Sequence, residues 1–196
     1  MNAVSKPESK SESKNADGES TRSAARLVLL RHAKSAWPDV ADRERPLGPR
    51  GLRDAPAAGR WLRDAGCLPA LVLCSTSRRT RETWALAAAE LGAAVPVRFD
   101  ERVYAAEPEE LLAVVSEVPD EVRTLLLVGH NPGLEELAVG LAREAGDAAE
   151  AAAMERLSAK FPTSAIAVLT CPGPWRELAP GSARLTGFAV PRGAAR

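Results

Sequence analysis

Two histidines occur in this chain of 196 residues, and each follows an apolar run. His32 comes directly after Arg31 at the end of residues 27–30, and His130 follows residues 124–129. A neutral imidazole can attack phosphorus and carry a phosphoryl group. A guanidinium presents forked N–H donors that match phosphate oxygens and stays charged at any working pH. The pattern therefore indicates phosphate chemistry.

A third apolar run, residues 71–74, leads into a polar segment with three arginines, Arg78, Arg79 and Arg81. In open α/β sheets, ligands bind beyond the carboxyl ends of the strands. We therefore expect the two histidines to face one pocket with arginines, although 98 positions separate them (130 − 32). A helix that begins near Pro132 would add a positive dipole end beside the second histidine.

The elements that must position these residues alternate between apolar strands and helical patterns. Continuous apolar runs are typical of parallel strands covered on both faces. The alternation predicts an α/β fold, a three-layer sandwich with a mainly parallel central sheet flanked by helices. Residues 146–160 are rich in alanine, and the pattern leaves open whether they are helical or loosely ordered.

Composition limits the domain organisation. Residues 1–25 are polar and charged with almost no large apolar side chains, so we expect a disordered tail. Residues 26–196 are long enough for one catalytic domain.

Charge and cysteine content exclude several function classes. The 26 basic and 26 acidic residues leave no net charge, so we expect neither a nucleic-acid partner nor a membrane surface. The three cysteines form no CxxC pair, which argues against a disulfide framework and a zinc site. With no apolar stretch typical of a secretory signal, the expected location is the cytoplasm.

Cys74 is a second candidate for the nucleophile, besides His32. Cysteine phosphatases place an arginine six residues after the cysteine, but Thr80 stands at that position here. The spacing therefore favours a structural role for Cys74. No cluster of metal-ligating residues is evident, and the arginines can supply the positive charge, so we expect no metal or other cofactor.

Four segments resemble the histidine phosphatase superfamily, which is also called phosphoglycerate-mutase-like. They are LLRHAKS at residues 29–35, RPLGPRG at 45–51, STSRRTRET at 75–83 and VGHNPG at 128–133. The alanine and lysine-serine after the Arg-His pair are similar to the short SixA-like phosphohistidine phosphatase branch. The resemblance extends over about residues 26–190 and implies the fold of that superfamily.

The resemblance also implies roles for individual residues. His32 would be the nucleophile, and Arg31, Arg79 and His130 would bind the phosphoryl group. Glu101 lies in DERVYA, which is a relaxed version of the family's acid segment, and is the candidate proton donor. The alternative for Glu101 is a surface carboxylate paired with Arg102.

Three functions remain open from the sequence. The first is a metal-independent phosphatase that forms phosphohistidine at His32 and removes phosphate from phosphohistidine in proteins. The second is a phosphatase of small phosphomonoesters with Glu101 as general acid. The third is a non-catalytic module that binds phosphate. The expected partner is in each case a phosphorylated molecule.

Overall fold

The computed structural model describes residues 24–194, and the predicted tail falls almost wholly outside this range. Six strands form one sheet in the order β3-β2-β4-β1-β5-β6. Their bounds are β1 Ala25–Arg31, β2 Leu71–Ser75, β3 Val97–Asp100, β4 Thr124–Gly129, β5 Ile166–Cys171 and β6 Arg184–Ala189. The first four strands pair in parallel, whereas β5 and β6 are antiparallel. The expectation of a mainly parallel sheet is confirmed.

Five α-helices flank the sheet. Their bounds are α1 Pro49–Asp64, α2 Arg78–Ala88, α3 Pro108–Ser116, α4 Gly133–Leu141 and α5 Ala148–Ala159. The last of these resolves the alternative that the sequence left open for residues 146–160. The Asp147 side chain caps α5 by accepting a hydrogen bond from the backbone N–H of Glu150, and Leu157 is fully buried.

The side chains of β1 alternate between the two helical layers. Leu27 and Leu29 belong to the core that includes residues of α3, α4 and α5, whereas Val28 and Leu30 pack with residues of α1 and α2. Since successive side chains of a strand point to opposite faces, a continuously apolar strand is buried on both. This is the three-layer arrangement that the sequence predicts. None of the helices in the described part of the chain has the length and apolar character needed to cross a membrane.

The helices α1 and α2 approach each other closely at Gly59. A Cβ atom on this residue would overlap the carbonyl oxygen of Ala87 in α2. The contact matters to the site because α2 carries Arg79. By contrast, a Cβ atom on Gly140 near the end of α4 would meet no heavy atom within 4 Å.

We therefore predict opposite effects of two glycine-to-alanine changes. Gly59→Ala should lower the free energy of unfolding by about 2 kcal/mol, because it forces two packed helices apart. Gly140→Ala should be neutral or stabilise by about 0.5 kcal/mol through helix propensity. Urea unfolding followed by circular dichroism measures both, and equal effects of the two changes would contradict the close approach.

Candidate active site

The two histidines lie side by side because β1 and β4 pair in parallel. Arg31 is in register with Gly129, so the next residue of each strand enters the same space. The backbone N–H of His32 donates to the carbonyl oxygen of Gly129 at 3.1 Å. The ring centroids of His32 and His130 are 5.3 Å apart, and both residues are buried. The structure therefore places the two histidines next to each other, as the sequence predicts.

The hydrogen bonds of His32 define its tautomer. Its Nδ1 lies 2.7 Å from the carbonyl oxygen of Ala33, which can only accept, so Nδ1 carries the proton. In the neutral ring, Nε2 then keeps its lone pair. The backbone N–H of Ala33 donates in turn to the Thr83 hydroxyl at 3.0 Å, which ties this segment to α2. The arrangement presents Nε2 as a nucleophile.

His130 is held in the other tautomer. The Arg79 Nη2 lies 3.4 Å from its Nδ1, and a guanidinium can only donate, so Nδ1 accepts. The Nε2–H then donates to the Ser75 hydroxyl at 2.9 Å. The Tyr104 ring packs edge-on against the imidazole with centroids 5.4 Å apart. His130 is therefore oriented from three sides.

Burial and positive charge keep both imidazoles neutral. The pKa of His32 falls from 6.5 to about 4, mainly because the ring is buried; the hydrogen bond to Ala33 opposes this shift, and the charges of Arg79 and Arg31 add to it. Burial also lowers the pKa of His130 to about 3, together with His32 and Arg79. Both rings are thus neutral near pH 7, each with one N–H, and a nucleophilic imidazole must be neutral.

The two predicted phosphate-binding arginines lie at the same edge of the sheet. Arg31 ends β1 and donates from Nη1 to the carbonyl oxygen of Phe161 at 2.6 Å. Its Nε is buried and has no hydrogen-bond partner among residues 24–194. Arg79 lies in the first turn of α2 and is buried beside His130. The structure thus brings together four of the five predicted site residues.

Glu101 is placed differently. It begins a 3₁₀ turn after β3, and its side chain is 71 % exposed. The carboxylate forms an ion pair with Arg43 at 2.8 Å, and Arg102 pairs instead with Asp100 and Glu117. Glu101 is therefore a surface carboxylate, but it pairs with Arg43 and not with Arg102. Its role as proton donor stays a prediction.

A carboxylate that the sequence reasoning missed lies at the centre of the site. Asp42 accepts from Arg79 Nη2 at 2.9 Å, from the Tyr104 hydroxyl at 2.7 Å and from Arg45 Nη1 at 2.8 Å. The bond from Tyr104, and then those from Arg45 and Arg79, hold the pKa of this carboxyl far below its usual value. The only signal in the sequence is that Asp42 lies three residues before the RPL segment.

Cys74 takes no part in these contacts. It is fully buried at the end of β2, and burial raises the pKa of its thiol to about 12. A thiol in this state is a poor nucleophile. Among the described residues, no group of three or more histidine, cysteine or acidic side chains could hold a metal ion.

Comparison with known proteins identifies the family. The model of the histidine phosphatase superfamily (branch 1) matches residues 27–105. An uncharacterized protein of Mycobacterium tuberculosis is 50 % identical over 166 residues, which cover 83 % of this chain and all of that protein. An uncharacterized protein of Mycobacterium leprae is 43 % identical over 170 residues, with the same coverage of both chains.

Solved structures agree with this assignment. A protein of Nakamurella multipartitia, provisionally named phosphohistidine phosphatase SixA, superposes with a TM-score of 0.73 at 36 % identity and covers 86 % of this chain and 96 % of its own. A protein of Agrobacterium tumefaciens with the same provisional name gives 0.69 at 30 % identity, covering 86 % and 99 %. This chain therefore belongs to the histidine phosphatase superfamily and is a histidine-type phosphatase.

Proposed function

We propose that this phosphatase removes phosphate from phosphohistidine in proteins through a covalent intermediate on His32. The observation that carries the proposal is a buried, neutral imidazole with its Nε2 lone pair free, beside two guanidinium groups. The non-catalytic alternative offers no reason for this protonation state. A module that only bound phosphate would gain more from a protonated histidine than from a neutral one.

The first half of the reaction transfers the phosphoryl group. The Nε2 of His32 forms a bond to phosphorus as the P–N bond of the substrate breaks. The substrate ring carries a proton on its other nitrogen, so the electron pair of that bond leaves on a neutral imidazole. The proton stays on Nδ1 of His32 and remains hydrogen-bonded to the carbonyl oxygen of Ala33. This hydrogen bond stabilises the positive ring of the phosphorylated histidine. Arg31 and Arg79 hold the phosphoryl oxygens, and His130 joins them when its Nε2–H exchanges the Ser75 hydroxyl for a phosphoryl oxygen.

The second half of the reaction regenerates the enzyme. Water attacks phosphorus, the bond from phosphorus to Nε2 of His32 breaks, and orthophosphate leaves with the oxygen and both protons of that water. The electron pair returns to Nε2, so the neutral tautomer is restored. Neither half of the reaction needs a metal, because guanidinium groups balance the charge on the equatorial oxygens.

Phosphohistidine as substrate is supported by the acid–base character of the site. An imidazole leaves easily once its other nitrogen is protonated, so a P–N substrate makes little demand on a carboxylic acid. Asp42 beside Arg79 is held ionised by its partners, and the predicted acid Glu101 is exposed and paired with Arg43. The provisional names of the two solved relatives point to the same substrate class.

Loss of His32 should abolish the intermediate. We predict that His32→Ala lowers the rate of phosphohistidine hydrolysis by about 10³-fold or more, because no other group in the site replaces the nucleophile. With a ³²P-labelled phosphohistidine protein as substrate, an alkaline quench should trap label on the wild type and none on the variant. Equal trapping would overturn the assignment of His32. Cys74→Ala is the control and should keep trapping the label.

Replacement of Glu101 separates the two enzymatic alternatives. We predict that Glu101→Gln leaves phosphohistidine hydrolysis within about twofold of the wild type, because an exposed carboxylate contributes little at a buried centre. The same variant should be assayed with an alkyl phosphate ester, whose poor alkoxide leaving group gains about 10²-fold or more from a general acid. A large loss with both substrates would instead assign Glu101 as the acid of this enzyme.

The two histidine rings should stay neutral well into the acid range. The pKa of each is below its value of 6.5, so protonation of the folded chain needs more acid than protonation of the unfolded chain. We predict that neither ring titrates between about pH 5.5 and 7.5, which is about one unit either side of the ordinary value. Proton NMR measures this directly because the chain has two histidines. The urea-unfolded chain is the control, and midpoints near 6.5 in the folded chain would contradict the prediction.

A further inference from the structure

Asp42 takes two of the five N–H donors of Arg79, one on each terminal nitrogen. The Nη1 of Arg79 donates to the backbone oxygen of Asp42 at 2.6 Å, and its Nη2 donates to the carboxylate of the same residue at 2.9 Å. The Tyr104 hydroxyl donates to that carboxylate as well. A phosphoryl oxygen that approaches the Nη2 side of Arg79 must therefore compete with the Asp42 carboxylate.

We propose that Asp42 is an internal competitor for the phosphate site, which holds Arg79 in place in the free enzyme and weakens the binding of phosphate. The inference rests on the proposed function in one respect, since it takes Arg79 as a phosphate-binding residue. Asp42 is a positioning residue in this account, because it acts through Arg79. The carboxylate stays ionised near neutral pH, so the competition operates under working conditions.

The loop that carries Asp42, residues 36–46, allows the Asp42 carboxylate to leave Arg79 when phosphate binds. Its base is closed by an isolated bridge between Ser35 and Leu47 and by the bond from Ala36 N–H to the carbonyl oxygen of Pro46 at 2.9 Å. Its tip is exposed, and the Asp42 side chain is itself 53 % exposed. The carboxylate can therefore turn toward solvent without opening the core.

Arg45 provides a partner for the displaced carboxylate. Its Nη1 holds the other oxygen of Asp42 at 2.8 Å, three residues along the same loop. Arg45 is buried and is fixed by the Ser35 hydroxyl at 2.7 Å and by the carbonyl oxygen of Ala36 at 3.1 Å. When phosphate takes Arg79, the ion pair with Arg45 can remain, which keeps the cost of the exchange moderate.

The competition has a consequence for turnover. Expelling Asp42 costs the same free energy whether the incoming group is substrate or product, so it weakens both to the same extent. The enzyme would then release orthophosphate readily and would not be saturated by free phosphate. Because the carboxylate returns to Arg79 as phosphate leaves, the guanidinium is never left buried without a partner.

Asp42→Asn tests the inference, with inorganic phosphate as the probe. We predict that the variant binds phosphate about tenfold more tightly, because a neutral amide competes less well for a guanidinium than a carboxylate does. The inhibition constant for phosphate and the KM for a phosphohistidine protein should fall together, while kcat does not rise. Isothermal titration calorimetry of phosphate binding gives the same affinity without turnover.

Asp39→Asn is the matched control, since it removes the same charge from an exposed position on the same loop. It should leave phosphate binding within about twofold of the wild type, because salt screens exposed charges. Asp42→Ser is the second variant and should also tighten binding, which guards against an effect special to asparagine. Thermal unfolding shows whether each variant is folded.

The outcomes distinguish this inference from the proposed function. Unchanged or weaker phosphate binding by both folded Asp42 variants would overturn it, even if label is trapped on His32. A lower kcat with unchanged phosphate affinity would also overturn it and would assign Asp42 to proton transfer. Tighter phosphate binding in both variants would support the inference, even if no phosphorylated His32 can be trapped.

Discussion

The active site depends on the parallel pairing of β1 with β4. In this register Arg31 lies opposite Gly129, and the residue after each is a histidine. A shift by one residue would turn one of the two rings toward the opposite helical layer, because side chains alternate along a strand. Alternate side chains of the two strands pack into two different clusters, and a shift would require both close-packed layers to repack. The core and the site are thus specified by the same pairing.

Charge balance is the second constraint on the site. His32 must be neutral to act as a nucleophile, and burial among guanidinium groups lowers its pKa to about 4. The same guanidinium groups would be costly to bury without anionic partners. Asp42 supplies that partner for Arg79 and Arg45 in the free protein. Under the proposed function, Asp42 thereby balances the charge of these arginines before a phosphoryl group binds.

Some residues of the site can be predicted from the sequence, and others cannot. His32, His130 and Arg79 could be placed together because each follows an apolar run that ends at one sheet edge. Glu101 was chosen by resemblance of its segment, and only the structure shows its exposure and its pairing with Arg43. Asp42 had no comparable signal, since its loop has no periodic pattern and 37 residues separate it from Arg79.

The sequence by itself determined the strand and helix order, the layered α/β fold and the identity of the family, because these depend on hydrophobic periodicity and on short local motifs. Tertiary structure alone decided the tautomers of the two histidines, the lowered pKa values and the partner of each arginine. These properties depend on burial and on contacts between distant segments, such as Ser75 with His130 and Asp42 with Arg79. A pattern along the chain cannot specify them, because a hydrogen bond requires distances that only the folded backbone sets.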